Sequence, residues 1–182
     1  MRNTGMIENN KGQKLASTIQ LFFFYAMVGW IYETVLEVII YRTGFSNRGF
    51  LFGPYLPVYG VGALLFLLIL YPAKQDRKYG KMTPFFVFAG SMIIATAVEL
   101  IASYGLSYFD LRLWNYDHYA FNFQGRIALN PSIRFGLGGL IFLYLLQPCF
   151  DKIIGTQSEK TAKIVALIIL IILIMDFVIK IV

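Results

Sequence analysis

Five apolar stretches constrain this chain more than any other feature of its sequence. The second stretch, residues 57–72, is too short to cross a membrane comfortably, so we expect residues 50–57 before it to enter the membrane and return as a re-entrant segment. A transmembrane helix needs about 20 apolar residues, and in lipid a helix satisfies its own backbone polar groups. The sequence therefore predicts an all-α fold, a polytopic transmembrane helical bundle of about five helices. The predicted spans are about 15–41, 57–72, 84–109, 129–150 and 161–182.

The composition excludes most classes of soluble protein. Of the 182 residues, 58% are apolar and 14% are charged, whereas soluble domains carry about 25% charged residues. After a polar N-terminal segment, residues 1–14, the length suffices for a single transmembrane domain, residues 15–182. No glycine-rich loop with a phosphate-binding lysine occurs. We therefore expect no nucleotide-binding domain within this sequence.

Cys149 and His118 are the only residues of their types, which limits redox and metal chemistry. One cysteine cannot form an internal disulfide, and a structural zinc site usually needs four Cys or His ligands. No Ser/His/Asp or Cys/His set indicates a catalytic centre. We expect no metal, no cofactor and no catalytic residue, so enzymatic activity has no support in the sequence.

The basic residues indicate how the chain lies in its membrane. With the N-terminus inside, ten of the 16 Lys and Arg residues fall in inner segments and six in outer ones. Cytoplasmic segments carry an excess of Lys and Arg, so the sequence predicts a cytoplasmic N-terminus. The net charge of +6 then favours contact with anionic membrane lipids over contact with nucleic acid.

The two halves of the chain present the same features in the same order. In each half a helix with an acidic residue precedes an asparagine, Asn47 or Asn122, and then a glycine, Gly60 or Gly136. The spacing from asparagine to glycine is 13 residues in the first half and 14 in the second. The pattern predicts a parallel two-unit repeat, and transporters often place their site between repeats. Chance recurrence of loop residues is the alternative.

Three glutamates inside the predicted spans are the main candidates for a binding site. Glu33 and Glu37 lie four residues apart, on one face of the first helix, and Glu99 lies in the third span. Charged groups within a membrane are costly, so they pair with one another or face water. We expect the glutamates to line an outward-facing polar cavity with Arg126 or Arg134 as a basic partner. Alternatively, they form ion pairs that fix helix packing.

The two outer loops supply further candidates for substrate binding. Asn47 and Arg48 in the first loop, and Asn122 and Arg126 in the second, place amide and guanidinium groups beside the membrane. Arginine suits bidentate contact with a phosphate or a carboxylate. Trp114 could stack on a ligand, although tryptophans also form aromatic belts at the membrane surface.

Several short motifs carry a resemblance to a known family. The run Asn47-Arg48-Gly49-Phe50-Leu51, followed by Gly53-Pro54 and Pro57-Val58-Tyr59-Gly60, resembles the signature of the CmpB-type ABC-transporter permeases of bacteria. The resemblance extends from about Gly29 to Gly139. It implies a permease in the bacterial plasma membrane that works with a separate ATPase subunit. It also adds Tyr59 to the candidate substrate-binding residues.

Three functions stay open at this point. The first is a transporter permease component, whose five helices are few enough to favour a homo-oligomer or a partner subunit. The second is a lipid-headgroup-binding or lipid-modifying membrane protein, in which Arg48 and Arg126 hold a phosphate. The third is a non-transporting membrane scaffold or regulatory subunit whose charges are structural. We favour the first, mainly because of the family resemblance.

Overall fold

A computed structural model describes residues 11–47, 49–76 and 79–181, and these residues form a bundle of five long helices. Each helix is long and apolar enough to cross a membrane, which confirms the predicted fold class. A short 3₁₀ turn, Gly80–Met82, leads into the third helix. The helices are α1 (Lys11–Ile40), α2 (Pro57–Gln75), α3 (Thr83–Ser107), α4 (Leu129–Gly155) and α5 (Glu159–Ile181).

The helix bounds differ most from the predicted spans at the start of α1 and at the end of α4. Helix α1 is already formed at Lys11, the first described residue, whereas the predicted span starts at about residue 15. Lys11 and Lys14 can extend apolar stems along the helix and keep their charges in water. Helix α4 continues to Gly155 instead of about residue 150. Asp151 and Lys152 end the apolar stretch there but do not break a helix.

The helices alternate in direction, so the bundle has two distinct ends. We call the end where α1 ends at Ile40 and α3 ends at Ser107 the loop end, and the opposite end the N-terminal end. Helix α1 packs against α2 and α5, and α3 packs against α2 and α4. The two long connections between helices both lie at the loop end.

An aromatic core fills the centre of the bundle below the loop end. Phe66 of α2 and Phe142 of α4 meet edge to face, with ring centroids 5.6 Å apart, and Tyr25 of α1 lies 4.2 Å from Phe142. Leu143 and Phe150 complete this buried cluster. Tightly packed side chains leave little space for water, so the core separates the two ends of the bundle.

Equivalent glycines join the two helices within each half of the chain. A Cβ atom on Gly60 of α2 would lie 2.6 Å from the ring of Phe22 on α1, and one on Gly136 of α4 would lie 2.6 Å from the ring of Phe88 on α3. Only a residue without a side chain permits such close contact between helices. The pairs α1–α2 and α3–α4 therefore pack through the same kind of contact, a glycine on one helix against a phenylalanine on the other.

The register of these contacts supports the predicted parallel repeat. Phe22 precedes Glu33 by eleven residues on α1, and Phe88 precedes Glu99 by eleven residues on α3. Because each phenylalanine meets the equivalent glycine, the two glutamates occupy matching levels in their helix pairs. This correspondence of contacts is stronger support than the recurrence of loop residues alone.

The connection from α1 to α2 descends deep into the bundle. Leu51 and Tyr55 are buried, and the backbone N–H of Leu56 donates to the carbonyl of Ala26 at 2.9 Å. Ala26 precedes the end of α1 at Ile40 by 14 residues, a distance of about 21 Å along a helix. The described residues 49–56 therefore form a re-entrant segment, which explains why α2 is short.

The connection from α3 to α4 ends in a small β-hairpin. Strands β1 (Asn122–Phe123) and β2 (Ile127–Ala128) pair antiparallel. Gln124 and Gly125 at the turn both have positive φ, 53° and 63°, as a type I′ turn requires. A Cβ on Gly125 would lie 2.2 Å from the Asp117 carboxylate, so this position needs glycine.

Candidate functional site

Two part-buried acid–tyrosine pairs lie toward the loop end, one from each half of the chain. The Tyr59 hydroxyl of α2 donates to the Glu33 carboxylate of α1. The Tyr116 hydroxyl, from the connection between α3 and α4, donates to Glu99 Oε1 at 2.7 Å. Tyr59 can approach α1 because Gly29 faces it, where a Cβ would lie 2.2 Å from the ring.

The two pairs form one group, which we call the acid–tyrosine cluster (Glu33, Tyr59, Glu99 and Tyr116). Glu33 lies within electrostatic range of both Glu99 and Tyr116, and Tyr59 lies within range of Tyr116. Burial raises the pKa of Tyr116, and the carboxylates of Glu99 and Glu33 raise it further. Tyr116 therefore keeps its proton and acts as a donor throughout the neutral pH range.

Arg134 of α4 lies beside the cluster among hydroxyl groups. Its guanidinium donates to the Tyr41 hydroxyl and, at 3.1 Å, to the Tyr119 hydroxyl. Neither Arg134 nor Arg126 forms an ion pair with a carboxylate of the described residues. Arg134 therefore supplies a positive charge beside the cluster without an ion pair to a described carboxylate.

Arg126 ties the hairpin to the end of α3. Its Nη1 atom donates to the Ser107 hydroxyl at 2.7 Å and to the Ser103 hydroxyl and carbonyl at 2.9 and 3.0 Å. Its guanidinium also stacks over the Tyr104 ring at 4.3 Å. A positive charge at the C-terminal end of a helix is stabilised by the helix dipole. These contacts serve the fold of the loop.

The variant R126A is expected to lower the stability of the protein substantially. It removes several hydrogen bonds from a charged donor, each worth about 1.5–3 kcal/mol, and leaves Ser103 buried without that partner. R112A is the matched control, because Arg112 lies in the same connection but pairs with Asp117 at 3.4 Å on the exposed surface, where a pair contributes about 0–1 kcal/mol. Thermal unfolding in detergent measures both; equal melting temperatures would contradict this role of Arg126.

Glu37 does not join Glu33 in the cluster, although both were predicted to line one face. It lies in a π-helical turn, Leu36–Ile40, where the extra residue per turn changes the direction of its side chain. Its two carboxylate oxygens accept hydrogen bonds from Ser46, at 2.6 Å from the hydroxyl and 3.3 Å from the backbone N–H. Glu37 therefore anchors the start of the connection to α2.

Asn47 organises the re-entrant segment. Its Oδ1 atom accepts a hydrogen bond from Trp30 Nε1 at 3.0 Å. Its amide nitrogen donates to the carbonyls of Leu51 and Phe52 at 3.0 and 3.1 Å. These bonds occupy the polar atoms that the sequence suggested for substrate contact. Arg48, the neighbouring candidate, lies outside the described residues.

Asn122 and Trp114 play the corresponding part in the second connection. The Asn122 amide donates to the Tyr119 carbonyl at 2.9 Å and accepts from the Gly125 N–H at 3.0 Å. Trp114 Nε1 donates to the Arg126 carbonyl at 2.9 Å. As in the first connection, an asparagine and a tryptophan hold the loop in place.

The cluster is able to bind a proton or a small polar solute. Its carboxylates offer negative charge, its tyrosines offer donors and aromatic faces, and Arg134 stands beside it. Among the described residues no group of three or more His, Cys, Asp or Glu side chains is arranged to hold a metal ion. Tyr116 is the member of the cluster that was not among the predicted substrate-binding residues.

Comparison with known proteins places the chain in a family. No curated protein and no solved structure matches it. The family of CmpB type, described as "putative ABC-transporter type IV", matches residues 20–181, a range that includes the acid–tyrosine cluster and both long connections. With its five membrane-spanning helices, this chain is a multi-pass membrane protein that belongs to the CmpB-type ABC-transporter family.

Proposed function

We propose that this chain is the membrane-spanning component of a transport system and that the acid–tyrosine cluster is its substrate or proton site. The observation that carries the proposal is the hydrogen bonding of Glu33 to Tyr59 and of Glu99 to Tyr116, one acid–tyrosine pair from each half of the chain. Intramembrane carboxylates commonly mark the path of an ion or a substrate. Sites between structural repeats are typical of transporters.

Access to the cluster supports the same proposal. Buried aromatic residues pack on the N-terminal side of the cluster, while the irregular connection between α3 and α4 supplies Tyr116 on its loop side. Irregular backbone occurs at membrane depth only where protein buries it or where it lines a cavity that holds water. In this conformation the cluster would therefore communicate with the loop end alone.

The partners and the orientation follow from charge and from the family. The basic residues favour the N-terminal end as the cytoplasmic one, so the cluster would face outward from the bacterial plasma membrane. The family description indicates a separate ATPase subunit, which would bind at the N-terminal end. Membrane lipids surround the apolar helix faces, and a second copy of this chain would supply further helices.

A current measurement on proteoliposomes tests the proposal. Wild-type protein on a solid-supported membrane is exposed to a pH step and to pools of amino acids, sugars, organic amines and phosphate. We expect a transient current with the pH step or at least one pool, and a loss of at least tenfold in E33Q and E99Q. Removing an intramembrane charge at the site removes the group that binds the moving species.

D151N is the matched control for this measurement. Asp151 also accepts a hydrogen bond from a tyrosine, Tyr71, at 2.9 Å, but it lies at the N-terminal end, away from the cluster. We expect D151N to keep the wild-type current. If E33Q and E99Q conduct like wild type, the cluster is not the transport site. If folded wild type gives no current with any solute, this chain does not move charge without its ATPase partner.

The lipid-headgroup alternative gains no support from the arrangement of Arg126. The Nη1 atom of this guanidinium donates to Ser103 and Ser107. These hydrogen bonds hold the loop, so this nitrogen is not available to a phosphate. Arg48, the other basic candidate for a headgroup, lies outside the described residues.

A further inference from the structure

Glu99 is buried, and one of its two carboxylate oxygens has no hydrogen-bond partner among the described residues. Its side chain is 7% exposed, and Oε1 accepts the hydrogen bond from Tyr116 at 2.7 Å. Oε2 is sealed from solvent and has no hydrogen-bond partner among the described residues. Buried polar atoms are nearly always hydrogen-bonded, and a buried charge without full compensation is costly. Glu99 therefore needs a further partner for Oε2.

Burial alone does not produce this condition, as Glu37 shows. Glu37 is 5% exposed, yet Ser46 donates hydrogen bonds to both of its carboxylate oxygens. The two glutamates thus have the same burial and the same chemistry but differ in how their oxygens are satisfied. The absence of a described hydrogen-bond partner for Oε2 therefore arises from the surroundings of Glu99 and not from burial alone.

Among the described residues, no cation lies within ion-pair distance of Glu99. Helix α1 presents another acid, Glu33, whose charge opposes that of Glu99. Two described arginines of this region donate elsewhere: Arg126 to Ser103 and Ser107, and Arg134 to tyrosine hydroxyls. The other titratable groups that the described part of the chain brings to this region are Tyr32, Tyr41, Tyr59, Tyr116 and Tyr119.

We propose that Glu99 is a proton-binding carboxyl group that takes up its proton on Oε2 while Tyr116 holds Oε1. A hydronium ion from the loop side gives up a proton, an O–H bond forms at Oε2, and water is left behind. The neutral acid no longer opposes the charge of Glu33. The proposal rests on the proposed function in naming the proton as the species bound at that site.

The space at Oε2 favours a proton over larger cations. The atom has almost no accessible surface, so a metal ion or an organic ammonium would have to displace neighbouring side chains, whereas a proton occupies no volume. A metal ion would also need more ligands than the described residues bring together here.

Infrared difference spectroscopy on the purified protein in lipid tests the proposal directly. A protonated carboxylic acid has a carbonyl stretching band that a carboxylate lacks. We expect wild type to show this band at neutral pH, to lose it as pH rises, and to shift it in D₂O. E99Q should lose the band at every pH, whereas the matched variant E37Q should keep it.

A second variant keeps the test decisive if E99Q does not fold. Y116F removes the hydrogen bond to Oε1 but leaves the carboxyl group, so the band should persist at a shifted frequency. A band that survives in E99Q, a band unmoved by Y116F, or no band at any pH where the protein is folded overturns the proposal. A band that disappears when sodium or an organic amine is added at constant pH also overturns it, in favour of a cation.

The spectroscopic and transport results separate the two proposals. If the Glu99 band is present but no solute gives a current, the proton-binding proposal stands and the transport proposal is not supported. If the current depends on Glu33 and Glu99 but no band of a protonated acid is seen, the transport proposal stands and the bound species is not a proton.

Discussion

Valine at Gly60 is expected to prevent folding of the bundle and valine at Gly136 to destabilise it less, whereas valine at Gly62 or Gly138 is expected to be tolerated. A Cβ on Gly60 would lie 2.7 Å from the backbone carbonyl of Phe22, a contact that only separation of α1 and α2 can relieve. Overpacking of this kind costs about 1–3 kcal/mol and more where backbone must move.

Gly136 is expected to respond in the same direction but less strongly. A Cβ there would lie 2.6 Å from the ring of Phe88, which can rotate in part, whereas the carbonyl of Phe22 cannot. Gly62 and Gly138 lie two residues further along the same helices, and nothing comes within 4 Å of a Cβ at either position. They are matched controls in the same helices.

The yield of monodisperse protein and its thermal unfolding in detergent measure all four variants. Equal behaviour at Gly60 and Gly62, and at Gly136 and Gly138, would show that the helix pairs are not held by glycine contacts. A loss confined to Gly60 and Gly136 would instead support the repeat, because these positions correspond in the two halves. The result bears on the site as well, since the same contacts set the levels of the two glutamates.

The helices were predictable from sequence because lipid imposes a simple requirement. A span must satisfy its own backbone and expose apolar side chains, so hydropathy and length locate it. The ends were less predictable. Lys11 and Asp151 look like boundaries in a hydropathy pattern, but each continues a helix whose backbone bonds are already formed.

The candidate site was predictable only in part. Glu33 and Glu99 stood out because acidic residues are rare in membrane spans. Their pairing with Tyr59 and Tyr116 did not, because these tyrosines lie 26 and 17 residues away along the chain, across connections whose course the sequence does not reveal. Glu37 was grouped with Glu33 because hydropathy patterns assume α-helical spacing and cannot show a π-helical turn.

Loss of the Asp176 side chain is expected to release the re-entrant segment from α5. Asp176 accepts the backbone N–H groups of Phe52 and Gly53 at 3.0 and 2.8 Å and the hydroxyl of buried Tyr55. In lipid no water replaces a lost acceptor, so D176A leaves three donors unsatisfied, at a cost of about 3 kcal/mol. D176N should be milder, since one carboxamide oxygen still accepts.

Proteolysis distinguishes this local release from general instability. Chymotrypsin should cleave D176A near Phe52 and Tyr55 well below its melting temperature, while wild type and the exposed-acid control D117N resist. Cleavage that appears only on global unfolding would mean that α5 does not hold the segment. Because residues 49–56 reach the level of Ala26, release there should also open the bundle beside Glu33. D176A would then lose transport current along with protease resistance, although its cluster residues are unchanged.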